Sequence, residues 1–147
     1  MAMIGERMLK GIPKIVSPAL LKVLCEMGHG DEIVIADGNF PCESMGTRVV
    51  RADGIGGEEM LRAVLSLIPL DTYAKENFIL MQTVAGDAKP DIWDSYKKIA
   101  DSCDDNVRVG MEERFAFYER AKKAYAVIAT GEEKVYANII LKKGVVH

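Results

Sequence analysis

The alternation of hydrophobic and polar positions predicts helices and strands in alternating order along this chain. Ser17 and Pro18 suit the cap and the first turn of a helix, and after them apolar side chains recur at helical spacing up to Met27. Residues 32–36 form a short β-branched run, which is typical of a buried strand. The other predicted helices cover residues 58–68, 91–103 and 112–123, and the other predicted strands cover residues 47–51, 78–83, 107–109, 125–129 and 136–141.

This order of elements predicts an α/β protein in which helices cover a central sheet of about six strands. The last two strands are separated by a turn at residues 130–134, so they could form an antiparallel hairpin and make the sheet mixed. The length of 147 residues predicts one domain over residues 1–147, and no internal repeat or linker divides it.

Charge and cysteine content narrow the class of protein. The 22 acidic and 19 basic residues leave a net charge of −3, which argues against nucleic acid or an anionic membrane as the main partner. Cys25, Cys42 and Cys103 form no Cys-x-x-Cys pair, so neither a structural zinc site nor a dithiol redox site is expected. Residues 1–8 lack the apolar core of a signal peptide, and no run of apolar residues is long enough for a membrane span. We therefore expect a cytoplasmic location.

His29 is the first candidate for chemistry. It lies between Gly28 and Gly30, at the junction of a predicted helix and a predicted strand. Imidazole is the side chain whose ordinary pKa, about 6.5, lies nearest to neutral pH, so His29 is a candidate proton carrier. The alternative is a turn residue whose ring caps a backbone group.

Two further candidates lie at the ends of predicted strands. Asp37 follows the first buried strand, at the edge where ligand sites in open α/β sheets occur. It could accept hydrogen bonds from hydroxyl groups or take a proton, or it could simply close an Asx turn. Tyr136 and Asn138 open the final strand, and strand alternation would place them on one face, where the amide of Asn138 could bind a hydroxyl group. The alternative is an apolar strand that begins with a polar pair and binds nothing.

The predicted helix at residues 112–123 carries a third group of candidates. Arg114 and Tyr118 are four residues apart and share a helix face, which could present a guanidinium and a phenol to a polar ligand. The alternative is a partly buried helix with surface salt bridges.

Two other patterns do not support a site. Gly54–Gly57 precedes a helix but lacks the phosphate-loop lysine and the dinucleotide spacing, and Glu58 and Glu59 would repel an anion there. Cys25 and His29 are four residues apart, but no third ligand accompanies them, so we assign no metal site.

Taken together, several stretches resemble the family of fucose mutarotases and ribose pyranases. The block Arg-Phe-Ala-Phe-Tyr-Glu-Arg-Ala at residues 114–121 is similar to the fucose branch in particular. The resemblance extends over nearly the whole chain after a short N-terminal extension. The stretches that carry it are Ser17–Leu24, Glu26–Ile33, Ser44–Gly46, Arg51–Gly54, Arg114–Ala121 and Tyr136–Gly144.

The resemblance implies a three-layer α/β/α sandwich and a cofactor-independent isomerase. Such an enzyme interconverts the α and β anomers of a free reducing sugar, here L-fucose, without a metal. Subunits would assemble into rings, commonly decamers, with sites near subunit contacts. His29 would be the proton donor, and the sugar would be bound by Asp37, Arg114 and the stretch Tyr136, Ala137 and Asn138. Ala137 is a departure, since some members of the fucose branch carry glycine there.

These roles define a mechanistic hypothesis. Asp37 and Asn138 would hold sugar hydroxyls, Arg114 would hold an oxygen by charged hydrogen bonds, and Tyr136 or Tyr118 could pack against the apolar face of the sugar. The general base is open between Asp37 and an ordered water. The alternative functions are a D-ribose pyranase, a noncatalytic sugar-binding protein and a purely structural ring-forming protein.

Overall fold

The computed structural model describes residues 9–147; the N-terminal segment 1–8, for which we predict no signal peptide, lies outside them. These residues form five helices, none of them long and apolar enough to span a membrane, and six strands. The helices are α1 (Pro18–Glu26), α2 (Cys42–Met45), α3 (Gly57–Leu65), α4 (Ile92–Cys103) and α5 (Arg114–Lys123). The strands are β1 (Glu32–Ala36), β2 (Val49–Ala52), β3 (Phe78–Met81), β4 (Val109–Glu112), β5 (Ala126–Thr130) and β6 (Ile139–Lys142).

The six strands form one mixed sheet in the order β2-β5-β1-β6-β3-β4. β6 runs antiparallel to both of its neighbours, β1 and β3, whereas the other pairs are parallel. The prediction of a mixed sheet is therefore confirmed, but the predicted hairpin of the last two strands is wrong. β5 already pairs with β2 on one side and β1 on the other, so it has no free edge for β6.

Helices cover both faces of the sheet, which confirms the three-layer α/β/α class. Alternation along β1 sends Ile33 and Ile35 into a core shared with α1, α3 and α4. Val34 and Ala36 point into a second core, which is closed by α2 and by Phe117 of α5.

The helix ends follow local capping chemistry. Ser17 caps α1, because its hydroxyl oxygen accepts a hydrogen bond from the backbone N–H of Leu20 at 3.1 Å. Glu113 caps α5 through its carboxylate, so this helix begins two residues later than the pattern predicts. The short helix α2 is absent from the sequence prediction, because four residues are too few to display a helical period.

The start of the last strand departs from the prediction. β6 begins at Ile139, and Tyr136 before it has φ of 56°, in the left-handed region. Tyr136 and Asn138 therefore do not alternate along a strand as expected. Two side chains of α4 hold this stretch instead: the indole N–H of Trp93 donates to the carbonyl of Tyr136 at 2.8 Å, and the Tyr96 hydroxyl donates to the next carbonyl at 3.0 Å.

Candidate active site

Asp37 and Asn138 meet where the C-terminal end of β1 lies beside the start of β6. Because β6 runs antiparallel to β1, the residue before β6 lies beside the residue after β1. The backbone N–H of Asp37 donates to Oδ1 of Asn138 at 2.8 Å. Oδ1 is thereby occupied, so Nδ2 is the atom through which Asn138 can donate to a ligand.

The Asp37 carboxylate is buried and held by the backbone. Oδ1 accepts hydrogen bonds from the N–H groups of Asn39 at 3.0 Å and Phe40 at 2.9 Å, and Oδ2 accepts from Ala137 at 3.2 Å. Burial raises the pKa of Asp37, and the three N–H donors only partly oppose this effect. Asp37 thus closes the predicted Asx turn, and its remaining lone pairs can still accept from a ligand hydroxyl.

Arg114 and Tyr118 lie on one face of α5 and line the same cleft as Asp37. Nε of Arg114 donates to the Tyr118 hydroxyl at 3.0 Å, so the predicted i, i+4 pair is confirmed. This hydrogen bond raises the pKa of the guanidinium, which keeps its positive charge at the mouth of the cleft.

Tyr136 forms another wall of the cleft. Its hydroxyl donates to Oδ2 of Asp87 at 2.6 Å and accepts from the backbone N–H of Val84 at 3.2 Å. The segment that carries Val84 and Asp87 therefore closes one side of the site. Sequence reasoning missed Asp87, because no motif or spacing connects it to Tyr136.

The cleft combines these polar groups with apolar walls from Phe40, Met81 and Val135 and has a volume of about 390 Å³. This size lies within the range of small-molecule sites. Ala137 does not line it: its side chain is buried, its N–H donates to Asp37 and its carbonyl accepts from Tyr96. Its position holds the stretch between Tyr136 and Asn138 in place.

His29 lies at the opposite end of β1 from Asp37. It precedes β1, whereas Asp37 follows it, and a strand of five residues is about 16 Å long. The turn around His29 is built by its neighbours: Gly30 has φ of 89°, and the N–H of Gly28 donates to the Asp31 carboxylate at 2.8 Å. Within one chain, the structure therefore does not bring His29 together with the cleft.

The His29 ring has a partner that sequence reasoning missed. Nε2 lies 2.8 Å from Oδ1 of Asp71, whose side chain is 3% exposed, while the side chain of His29 is 45% exposed. Burial acts to raise the pKa of Asp71, but hydrogen bonds from His29 and from the N–H groups of Tyr73 and Ala74 outweigh it and leave the pKa lowered. The histidine is thus accessible and paired with a buried carboxylate.

Within residues 9–147, the positions that we considered for a metal ion and for a phosphate do not form a binding site for either. Across residues 9–147, no three histidine, cysteine, aspartate or glutamate side chains converge as metal ligands would. At the start of α3, the N–H of Gly57 donates to the Glu132 carboxylate at 2.9 Å, so a side chain of the protein occupies the anion position.

Comparison with known proteins identifies the family. The sequence profile of the RbsD/FucU transport protein family matches residues 10–146. This chain belongs to the RbsD/FucU family. Among curated RbsD/FucU relatives, the fucose mutarotase of Bos taurus is 51% identical over 144 residues, covering 93% of this chain and 94% of the relative.

Solved structures of the RbsD/FucU family superpose closely on this chain. FucU from Bifidobacterium longum is 57% identical, with a TM-score of 0.90 and coverage of 94% of this chain and 100% of the other. The fucose mutarotase from Streptococcus pneumoniae, solved in complex with L-fucose, is 50% identical, with a TM-score of 0.90 and coverage of 95% and 100%.

Proposed function

We propose that this protein is an L-fucose mutarotase, a cofactor-independent isomerase that interconverts the α and β anomers of the free sugar. The observation that carries the proposal is the cleft in which Asp37, Asn138 and Arg114 converge. Its donors and acceptors suit a polyhydroxylated ligand, and relatives with about half of their residues identical are named fucose mutarotases.

Each polar group of the cleft has a distinct role in this proposal. Asp37 accepts a hydrogen bond from a sugar hydroxyl, and Nδ2 of Asn138 donates to another sugar oxygen. Arg114 donates charged hydrogen bonds to a third oxygen, which are stronger than neutral ones. Tyr118 and Tyr136 present aromatic surface and a hydroxyl to the ring of the sugar.

The reaction needs two proton transfers. His29 donates a proton to the ring oxygen while a base removes the proton of the anomeric hydroxyl. The bond from the anomeric carbon to the ring oxygen breaks, and the open-chain aldehyde forms. Rotation about the bond to the aldehyde carbon then exposes its other face, and ring closure reverses both transfers. Positioned proton transfer contributes about 10²–10⁴ in rate.

The base that removes the proton of the anomeric hydroxyl is either Asp37 or an ordered water. Burial raises the pKa of Asp37, which makes it a stronger base than an exposed aspartate and favours it for this role.

Because His29 and the cleft lie at opposite ends of β1, the proposal includes an assembly of several copies. His29 of one subunit enters the cleft of a neighbour, so each complete site contains residues of two chains. Such a contact joins two different surfaces and is heterologous, and repeated rotation of this kind closes into a ring. A decameric ring is the assembly that the family resemblance implies.

A cytoplasmic location belongs to the proposal as well. Cys25, Cys42 and Cys103 are all free thiols, as is typical of proteins in a reducing compartment.

The test is exchange NMR on the wild-type protein with L-fucose and D-ribose in separate samples. The proposal predicts accelerated exchange between the α and β anomers of L-fucose. Faster interconversion of ribose ring forms than of fucose anomers would instead assign a ribose pyranase. Binding of L-fucose without faster exchange would assign a noncatalytic sugar-binding protein.

The same measurement tests the role of His29. His29→Ala should lower the exchange rate by at least 100-fold at equal sugar binding, since positioned proton transfer is lost. Lys10→Ala is the control, because Lys10 is exposed, does not line the cleft and lies outside the His29 turn. Exchange by His29→Ala at the wild-type rate would refute the assignment.

A further inference from the structure

The contact between His29 and Asp71 carries information about which ring nitrogen does the chemistry. The imidazole has two nitrogens, and a neutral ring carries its proton on only one of them. Asp71 lies 2.8 Å from Nε2, not from Nδ1. The protonation state of this carboxylate therefore decides the tautomer of His29.

Asp71 is built to remain ionised. Its oxygens accept hydrogen bonds from the N–H groups of Tyr73 at 3.2 Å and Ala74 at 3.0 Å, which favour the charged form. Its pKa is lowered despite burial, so the carboxylate has no proton to give. The hydrogen bond with His29 can then exist only if Nε2 carries a proton and donates it.

The position of Asp71 is fixed by the sheet. Its N–H donates to the carbonyl of Lys142, the last residue of β6, at 2.9 Å. Its carbonyl accepts from the buried amide of Asn77 at 2.8 Å. The turn of His29 is attached to the same end of β6, since the N–H of Gly30 donates to the carbonyl of Lys143 at 2.8 Å. The two side chains are thus held on one rigid support.

We infer that Asp71 is a positioning residue that holds His29 in the Nε2–H tautomer, so that Nδ1 is the atom that exchanges a proton with the sugar. This inference rests on the proposed function and assigns its proton donor to one atom. When His29 is protonated, the Nδ1–H bond points away from Asp71 and is the one that can be delivered to the ring oxygen. After delivery, Nδ1 holds the lone pair that reclaims the proton on ring closure, and Nε2 keeps its hydrogen bond throughout.

The tautomer is measured directly by long-range ¹H–¹⁵N NMR on protein labelled in histidine. The sequence contains two histidines, so His147→Gln leaves the signals of His29 alone. We expect a pyrrole-type Nε2 and a pyridine-type Nδ1 at pH 8.5, about two units above the ordinary imidazole pKa. A pyrrole-type Nδ1 in this protein would overturn the inference, whether or not the protein is active.

The kinetic arm uses Asp71→Asn in the full chain. An asparagine can turn its amide N–H groups toward Nε2 and so permits the other tautomer. We expect at least a tenfold fall in the rate of L-fucose anomer exchange at saturating sugar, an unchanged sugar concentration for half-saturation, and a pyrrole-type Nδ1 signal. Asp104→Asn is the matched control, because Asp104 accepts from the N–H of Leu70, one residue before Asp71, and should exchange anomers at the wild-type rate.

The outcomes separate the two proposals. If Asp71→Asn shows a pyrrole-type Nδ1 and still exchanges anomers at the wild-type rate, the positioning role is refuted while the mutarotase function stands. If the wild-type protein does not accelerate exchange at all, the proposed function fails and with it the role of Nδ1 toward the sugar, and the tautomer measurement still decides whether Asp71 holds His29 in the Nε2–H form. Should Asp71→Asn fail to fold, the NMR result on the wild-type ring decides alone.

Discussion

A mixture of two inactive variants should regain activity if each site is shared between subunits. His29→Ala removes the proposed proton donor and leaves the cleft intact, whereas Arg114→Glu reverses the charge at the cleft and leaves His29 intact. Arg114 is exposed and lies at the first position of α5, where a carboxylate is compatible with the helix dipole, so this variant should fold. Each variant alone should lose about 100-fold or more in exchange rate.

The expected recovery follows from where the structure puts the two groups. β1 separates His29 from Asp37 by about 16 Å, so under the proposed mechanism no chain holds a complete site by itself. In an assembly formed at random from equal amounts of both variants, a site receives an intact histidine from half of the chains and an intact cleft from half of their neighbours. About one quarter of the sites are then complete, because a heterologous contact takes its two surfaces independently.

The assay is anomer exchange of L-fucose by saturation-transfer NMR on assemblies that contain both variants. The two chains are co-expressed with different affinity tags and purified through both tags in succession. Two differently tagged copies of His29→Ala, prepared in the same way, provide the baseline. Doubly purified mixed assemblies that exchange anomers no faster than this baseline would refute the shared site, because a site within one chain cannot be rebuilt by mixing.

Three further predictions concern stability and reactivity. Phe117→Ala should lower the free energy of unfolding in urea by about 3–5 kcal/mol, since the side chain of Phe117 is fully buried. Phe115→Ala is the control: Phe115 is 64% exposed, so this variant should change the free energy of unfolding by no more than about 0.5 kcal/mol. Equal effects of the two variants would contradict the assigned burial. The lowered pKa of Asp71 means that its ionised form stabilises the fold above the ordinary aspartate pKa of about 3.9 and that this contribution is lost as the pH falls further. The difference in unfolding free energy between wild type and Asp71→Asn should therefore shrink between pH 5, where an ordinary imidazole is already charged, and pH 2, and a difference that grows over this range would have the wrong sign. Burial raises the pKa of the Cys42 thiol to about 11, so iodoacetamide at pH 8 should modify the exposed Cys25 first and Cys42 only after unfolding. Mass spectrometry follows the labelling, and equal labelling of both cysteines in the folded protein would contradict the prediction.

Features with a local cause could be predicted from the sequence. The cap of α1 at Ser17, the buried strand after His29 and the pairing of Arg114 with Tyr118 each depend on residues within a few positions of one another. Capping, strand burial and i, i+4 contacts are short-range effects, so their patterns are visible in the order of residues.

Features that depend on β6 could not be predicted in this way. β6 pairs with β1 and β3 and not with β5, whose two edges are taken by β2 and β1, and this order of strands is a property of the whole sheet. The left-handed backbone of Tyr136 is supported by hydrogen bonds from Trp93 and Tyr96, which are about forty residues away in the sequence. Such long-range contacts leave no periodic signal in the chain.

The residues of this protein, taken alone, determined its class, most of its helices and strands, and the chemical types available for a sugar site. Only the tertiary structure decided how those groups are distributed. The antiparallel strand β6 brings Asn138 to Asp37 at one end of β1 and brings Asp71 to His29 at the other end. The physical reason is that side-chain type is a property of each residue, whereas proximity between distant residues is set by which strands pair with each other in the sheet.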